Sequence, residues 1–149
     1  MRHVMFVAIL CAAVLPCRAG AQTASVPPPA PSSSIVKDSR TFELRTYYAA
    51  PGKLEDLHAR FRNHTVRLFK KHGMTIIGFW APTAPAAAAA DTLVYVLAYP
   101  SDQARKVAWE GFSADPEWVA VRDASERNGK IVAKIESVMM KATDYSELK

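Results

Sequence analysis

The distribution of apolar and polar residues along the chain predicts four β-strands. The four stretches are rich in β-branched and aromatic residues, and the first also alternates in polarity. They cover residues 41–48, 74–80, 92–99 and 131–141. Residues 53–72 instead repeat apolar side chains at three- and four-residue steps, which predicts an amphipathic helix. Residues 81–90 are rich in proline and alanine, and we expect them to form a mobile connection.

Local signals mark the ends of three helices. Basic residues precede Gly73, which is typical of a helix C-terminus followed by a left-handed glycine. Ser101 is suited to cap a second helix. Asp115 followed by Pro116 is a strong start for a third helix, which should end near Gly129.

The resulting order, β-α-β-β-α-α-β, predicts an α+β domain of the ferredoxin-like arrangement, with helices on one face of an antiparallel sheet. The strand at 92–99 is apolar on both of its faces. A sheet whose second face is apolar needs a cover for that face as well. The simplest cover is the same sheet of a second copy of the chain, so we expect a homodimer.

The N-terminus has the layout of a secretory signal peptide. Arg2 begins a short positive segment, an apolar run of about a dozen residues follows, and Ala19-Gly20-Ala21 offers a small-residue cleavage site. The run is shorter than the about 20 residues that span a bilayer. We therefore expect residues 1–21 to be removed from an exported protein, periplasmic or secreted, without stable membrane insertion. A buried N-terminal helix or lipidation at Cys17 are the alternatives.

Residues 22–40 are rich in proline and serine and predict a flexible tether before a folded domain at 41–146. Both cysteines, Cys11 and Cys17, precede the cleavage site, so the mature chain would hold no disulfide and no thiol nucleophile. Loss of Arg2 and Arg18 lowers the formal charge from +5 to +3. This mild excess comes without a nucleic-acid-binding motif, so nucleic acid is not an expected partner.

Several short motifs, in their order and spacing, resemble the pattern of the NIPSNAP family. They are Phe42-Glu43-Leu44-Arg45-Thr46-Tyr47, Pro51-Gly52-Lys53, Lys71-His72-Gly73, Gly78-Phe79-Trp80, Tyr99-Pro100-Ser101, Arg105 and Asp115-Pro116-Glu117-Trp118. The resemblance covers about residues 41–146, and the alanine run at 86–90 departs from it.

The resemblance implies a dimeric α/β barrel, in which two ferredoxin-like sheets close face to face. The biochemical activity of the family is poorly defined, and its eukaryotic members are similar to mitochondrial adaptor proteins. Related dimeric-barrel families include haem-dependent enzymes, cofactor-free monooxygenases and isomerases. Fold analogy alone does not choose among these activities.

The first strand carries the most informative polar residues. One face of this strand comprises Phe42, Leu44, Thr46 and Tyr48, and we expect this face to pack on the helices. Glu43, Arg45 and Tyr47 would then point into the barrel interior, where Lys134 and Glu136 of the last strand could be their partners. The set is either a structural salt-bridge network or a pocket that binds a small polar or anionic ligand through Arg45 and Tyr47.

Further candidates lie outside the first strand. Trp80 and Tyr95 would add aromatic walls to the ligand site. His64 lies on the apolar stripe of the first helix, where it is a core residue, a general acid or base with Tyr47, or a haem ligand. The histidines lack the three- or four-residue spacing of a helical metal site, so we predict no metal and no cofactor.

Three classes of function remain open from the sequence. The leading hypothesis is a protein that binds a small molecule. One alternative is a cofactor-free enzyme of monooxygenase or isomerase type that acts on a small apolar substrate with Tyr47, His64 and Arg45. The other is an adaptor that binds other proteins through its outer helices and its tether. An enzyme needs both a pocket and a titratable group, whereas a binding protein needs only the pocket.

Overall fold

A computed structural model describes residues 33–83 and 91–149 of the chain. Its strands are β1 (Thr41–Ala49), β2 (Thr75–Trp80), β3 (Thr92–Tyr99) and β4 (Val132–Lys141). Its helices are α1 (Leu54–Arg60), α2 (Val66–Lys71), α3 (Asp102–Ala114) and α4 (Pro116–Ser125), with a π-helical turn (Phe61–Thr65) between α1 and α2. The predicted order of elements is confirmed.

The four strands form one antiparallel sheet in the order β2-β3-β1-β4. β1 lies between β3 and β4, and its Arg45 is opposite Tyr95 on one side and Ser137 on the other. This is the sheet of a ferredoxin-like fold, so the predicted α+β class is confirmed.

The first helical segment is continuous over residues 54–71, but it widens at the π-helical turn. The hydroxyl of Thr65 donates a hydrogen bond of 3.3 Å to the carbonyl oxygen of Arg60, five residues earlier. A regular α-helix has 3.6 residues per turn, so side chains spaced four residues apart shift steadily around the helix axis and leave the buried side. The wider turn compensates for this drift, so that Leu57, Phe61 and Phe69 are all buried. The sequence predicts an uninterrupted α-helix here and misses this turn.

The predicted caps of α3 and α4 are confirmed. Ser101 Oγ accepts a hydrogen bond of 3.1 Å from the backbone N–H of Ala104. Asp115 accepts one of 2.9 Å from the N–H of Glu117, and Pro116 occupies the first turn. Each bond satisfies a backbone donor that the helix itself leaves unpaired.

A second set of contacts ties the end of α2 to the start of α4. Lys71 Nζ and His72 Nε2 each lie 2.7 Å from Asp115 Oδ2. The ring of His72 rests against Gly111 of α3, where a Cβ atom would come within 2.9 Å of His72 Nδ1. Glycine at this position therefore allows the close approach of the helices.

The helices cover the face of the sheet that carries Glu43, Arg45 and Tyr47, so the predicted orientation of β1 is wrong. Trp109 of α3 donates a hydrogen bond to Glu43, and the ring of Phe61 lies 5.7 Å from that of Tyr47. The polarity of Glu43, Arg45 and Tyr47 predicts that they point away from the helices. In the structure they point towards the helices, because α3 itself supplies polar partners for them.

The opposite face of the sheet, here called the open face, is mostly apolar. It includes Phe42, Leu44, Thr46, Tyr48, Val94, Val96, Val138 and Met140. All described hydrogen bonds and ring contacts between the helices and the sheet are made on the other face, which carries Glu43, Arg45 and Tyr47. Val138 is 54 % exposed on the open face, which leaves apolar surface there without a cover within the described residues.

The folded domain begins earlier than the predicted boundary at Thr41. The N–H of Val36 donates a hydrogen bond of 2.9 Å to the carbonyl oxygen of Ala142, and Ile35 forms a β-bridge with Thr143. The last residues of the predicted tether therefore belong to the fold. The predicted signal peptide at 1–21 and the alanine run at 86–90 lie outside the described residues.

Among residues 33–83 and 91–149, no helix combines the length and the hydropathy that a membrane crossing requires.

Candidate functional site

The carboxylate of Glu43, which is fully buried under α3, is the centre of a polar cluster. Arg105 binds it in bidentate fashion, with Nε 2.8 Å from Oε2 and Nη2 2.7 Å from Oε1. The other donors are Arg45 Nη1 at 2.7 Å, Ser137 Oγ at 2.7 Å, Trp109 Nε1 at 2.8 Å and Tyr99 Oη at 3.1 Å. An ionised carboxylate offers only about four acceptor sites. Glu43 therefore has no capacity left for a ligand, and it positions the groups around it.

Two of these partners, Arg105 and Trp109, come from α3 and were not among the predicted site residues. They are four residues apart, so they lie on the same side of the helix. That spacing is visible in the sequence. The sequence does not reveal that this side of α3 faces Glu43, because the predicted orientation of β1 placed Glu43 on the opposite face of the sheet.

The pKa of Glu43 is lowered to about 2. Burial alone would raise it, but hydrogen bonds from Arg105, Ser137, Trp109 and Arg45 outweigh the effect of burial. The carboxylate is therefore ionised throughout the neutral range. Because two arginines face one carboxylate, the cluster carries a net positive charge.

We expect the ionised Glu43 to make the fold sensitive to acid. Its folded-state pKa of about 2 lies below the ordinary value of 4.5, so its contribution is complete above pH 4.5 and is lost as the pH falls through 2. The loss amounts to about 3 kcal/mol of unfolding free energy. Urea unfolding at pH values between 7 and 2 would measure it. The Glu43→Gln variant should lack this component, and identical pH profiles for the two proteins would contradict the assignment.

Arg45 lies beside Glu43 and beneath the indole of Trp109. Its guanidinium carbon is 4.3 Å from the Trp109 ring centroid, and its Nη2 is 3.4 Å from the hydroxyl oxygen of Tyr47. Its Nε atom is buried and has no hydrogen-bond partner in the part of the chain that the structure describes. A buried donor without a partner costs about 1–3 kcal/mol, so this atom is a candidate to bind an acceptor.

Tyr95 carries a second buried donor of this kind. The residue is fully buried, and its hydroxyl has no hydrogen-bond partner among residues 33–83 and 91–149. Burial, together with the nearby Tyr47, raises the pKa of Tyr95 well above its ordinary value, which keeps the hydroxyl protonated as a donor. The rings of Tyr47 and Tyr95 have centroids 5.3 Å apart.

A cavity of about 160 Å³, here called the inner cavity, lies between the sheet and the helices beside Tyr47. Its aromatic lining comprises Tyr47, Phe61, Phe69, Phe112 and Trp118, and its charged lining comprises Arg60, Arg122 and Glu126. In another protein, an engineered apolar cavity of about 150 Å³ binds benzene. The inner cavity therefore has room for a molecule built on one aromatic ring.

Arg60 is the buried cation of the inner cavity. Its side chain is 4 % exposed, and its Nη1 atom lies 3.1 Å from Glu126 Oε1 and 3.3 Å from Ser125 Oγ. The guanidinium carbon lies 5.3 Å from the ring centroid of Trp118. Its Nε atom is buried and has no partner within the described residues, so Arg60 combines an unpartnered donor with a position in the lining of an aromatic cavity.

Arg60 also lines a larger depression on the outside of the molecule. This outer groove has a volume of about 580 Å³ and lies between the first helical segment and α4. Its other lining residues are Lys53, Asp56, Ala59, Asn63, His64, Ala120, Val121, Ala124, Ser125 and Asn128. The inner cavity and the outer groove therefore share Arg60 as a wall.

Residues 42–147 match the family model of NIPSNAP. The chain belongs to the NIPSNAP family. The resemblance that the sequence motifs indicate is therefore confirmed over nearly all of the described domain.

Solved structures of other NIPSNAP proteins share this fold. A NIPSNAP family protein of unknown function from Agrobacterium tumefaciens is 20 % identical with a TM-score of 0.65, over 78 % of this chain and 99 % of that one. An uncharacterised NIPSNAP domain protein from Burkholderia xenovorans is 20 % identical with a TM-score of 0.60, over 71 % and 97 % of the two chains. Among curated proteins, no sequence matches this chain.

In this NIPSNAP domain, four of the predicted ligand-binding residues lie together and one does not. Glu43, Arg45, Tyr47 and Tyr95 share the face of the sheet under the helices. Trp80 lies on the open face, since it pairs with Val94, and its ring folds over Gly78. The pleat of β2 explains this, because the preceding residue, Phe79, points towards the helices.

The structure does not assemble the catalytic pair of Tyr47 and His64. Tyr47 lines the inner cavity, whereas His64 lines the outer groove. The predicted polar partners on β4 are also misplaced, because Lys134 and Glu136 pair with each other and with Tyr48 on the open face. Within residues 33–83 and 91–149, no three His, Cys, Asp or Glu side chains converge as metal ligands would.

Proposed function

We propose that the protein binds a small organic anion with an apolar body, such as an aromatic carboxylate, in the inner cavity. The observation that carries the proposal is Arg60, which lines this cavity and whose buried guanidinium has an Nε atom without a partner among the described residues. A guanidinium presents its N–H groups in a fixed plane that matches a carboxylate. The ligand would supply the missing acceptor.

Charge and shape also support an anion with an apolar body. Arg122, whose guanidinium also pairs with Asp123 at 2.9 Å, adds a second arginine to the lining, and the cluster around Arg45 adds a net positive charge next to Tyr47. Aromatic rings form most of the remaining wall. Sites for drug-sized ligands have volumes of about 300 Å³ or more, so a cavity of 160 Å³ suits a smaller ligand.

Calorimetric titration of the protein with benzoate, phenylacetate and benzamide tests this proposal. We expect the two carboxylates to bind and to raise the melting temperature, and the neutral amide to bind more weakly. Arg60→Lys keeps the charge but loses the planar donor, so it should reduce benzoate affinity while the variant stays folded. Absence of binding by either carboxylate at millimolar concentration would contradict the proposal. Native mass spectrometry of the protein from its own compartment would reveal a resident ligand.

Two tyrosines provide a matched test of the unpartnered donor. We expect Tyr95→Phe to raise the unfolding free energy of the ligand-free protein by about 1 kcal/mol, because it removes a buried hydroxyl without a partner. Tyr99→Phe removes a hydroxyl that donates to Glu43 and should lower the unfolding free energy by about 1–2 kcal/mol. Urea unfolding of both variants measures the difference. Equal destabilisation would show that the Tyr95 hydroxyl has a partner.

We further propose that two copies of the domain pair through their open faces. The support is the row of apolar side chains that the helices leave uncovered, including the half-exposed Val138. Burial of this apolar area would favour association. A homodimer of this kind leaves the inner cavity accessible, because the cavity lies on the other side of each sheet.

Export to the periplasm or the medium is the corresponding proposal for the N-terminus. It rests on the positive start, the apolar run and the Ala19-Gly20-Ala21 site. N-terminal sequencing of the protein from the exported fraction should begin at Gln22. Recovery of the full-length chain from the cytoplasm alone would refute this proposal.

A further inference from the structure

Glu126 occupies the position that an anionic ligand would need. We infer that a carboxylate reaches the inner cavity from the outer groove by taking the place of Glu126 on Arg60. This inference rests on the proposed function and identifies the residue that controls entry and affinity at the same site.

The first argument is charge balance. Arg60 is almost completely buried, and Glu126 Oε1 already neutralises it at 3.1 Å. A ligand carboxylate added beside an intact Arg60–Glu126 pair would place two carboxylates against one guanidinium, and their repulsion would oppose binding. Exchange of one carboxylate for the other keeps the charge on the site constant. The exchange therefore avoids that penalty.

The second argument is that Glu126 can leave at low cost. Its side chain is 27 % exposed, and the residue is the C-cap of α4. A negative charge at a helix C-terminus is opposed by the helix dipole. Rotation of the side chain into water removes this unfavourable interaction and restores full hydration of the carboxylate.

The third argument is the path. Arg60 lines both the outer groove and the inner cavity. Of its two partners, Ser125 lines the groove and Glu126 lines the cavity. The groove wall contributed by α4 is formed largely by small residues, Ala120 and Ala124. A ligand of one ring can therefore approach Arg60 from the groove. Departure of Glu126 would free the guanidinium of Arg60, which lines both the groove and the cavity.

Glu126→Gln tests this inference, with calorimetric titration of benzoate into the full chain. We expect the variant to bind benzoate about tenfold more tightly than the unmodified protein, because the competing charge is gone. Glu117→Gln is the matched control, since Glu117 lies on the same helix and pairs with Arg67 at the surface. It removes the same charge and should change benzoate affinity little. Circular dichroism verifies that both variants are folded.

The outcomes separate this inference from the proposed function. If the unmodified protein binds benzoate and Glu126→Gln binds it equally, the displacement of Glu126 is refuted and ligand binding stands. If both glutamine variants tighten binding equally, net charge explains the effect and the inference is likewise overturned. If neither the unmodified protein nor Glu126→Gln binds any carboxylate, the proposed function itself fails.

A second variant tests the path independently of affinity. Ala124→Phe places a ring in the outer groove at an exposed position of α4, so the fold should tolerate it. We expect stopped-flow association and dissociation rates for benzoate to fall together, by severalfold, with little change in the dissociation constant. Rates equal to those of the unmodified protein would overturn entry through the groove.

Discussion

Replacement of Glu43 by glutamine is expected to lower the unfolding free energy by about 3–5 kcal/mol, because it removes the charge that neutralises a buried cluster. The side chain is fully buried and accepts hydrogen bonds from both Arg45 and Arg105. Glutamine has nearly the same shape, but its amide group offers one oxygen acceptor instead of two. Arg45 would then be a buried cation without a counterion.

A second carboxylate of the sheet provides the control for this prediction. Glu136 of β4 also forms an ion pair, with Lys134, but both side chains are about half exposed. Exposed pairs contribute little to stability, so Glu136→Gln should leave urea unfolding nearly unchanged. Similar midpoints for the two variants would refute the central role of Glu43. An additional Arg45→Met substitution should restore part of the stability lost in Glu43→Gln, because it removes the uncompensated cation.

The elements of the fold could be predicted from the sequence because their signals are local. Alternation, helical period and the caps at Ser101 and Asp115 each depend on residues within one turn or one strand of each other. These signals place every strand within one residue of its observed bounds. The π-helical turn was not predicted because Leu57, Phe61 and Phe69, which it helps to align, are spaced by multiples of four residues, and this spacing also fits a regular α-helix.

The site could be predicted only in part, because its assembly depends on contacts distant in sequence. Glu43, Arg45 and Tyr47 were recognisable as an unusual polar row on one strand. Their orientation depends on the hydrogen bonds that Glu43 accepts from Arg105 and Trp109, which lie 62 and 66 residues after it in the chain. The spacing of residues within one strand or one helix does not reveal which face of β1 contacts α3.

The same error of orientation does not affect the expectation that the sheet is covered on both sides. The argument for a second copy used only the apolar character of both faces of β3, and this holds whichever face the helices occupy. The structure places Val94, Val96 and Ala98 on the open face. Pairing of two open faces therefore has a specific experimental consequence.

Val96→Asp is expected to convert the proposed dimer into a folded monomer. Val96 lies opposite Leu44 in the middle of the open face and is half-buried in the single chain. In the monomer the new carboxylate can reach water. In a face-to-face dimer it would be buried without a partner, at a cost of several kcal/mol, which corresponds to an increase in the dissociation constant of about a thousandfold or more.

Sedimentation velocity over a wide range of protein concentrations would measure this change. Val107→Asp is the matched control, because Val107 is 58 % exposed on α3 and the same substitution there should leave association intact. A dimer that persists in Val96→Asp would place the interface elsewhere, and an unmodified protein that is monomeric at every concentration would refute the pairing of open faces. Benzoate affinity should be the same in the monomeric variant, because the inner cavity lies on the opposite side of the sheet from Val96. A loss of benzoate binding together with the dimer would mean that the partner subunit helps to form the ligand site.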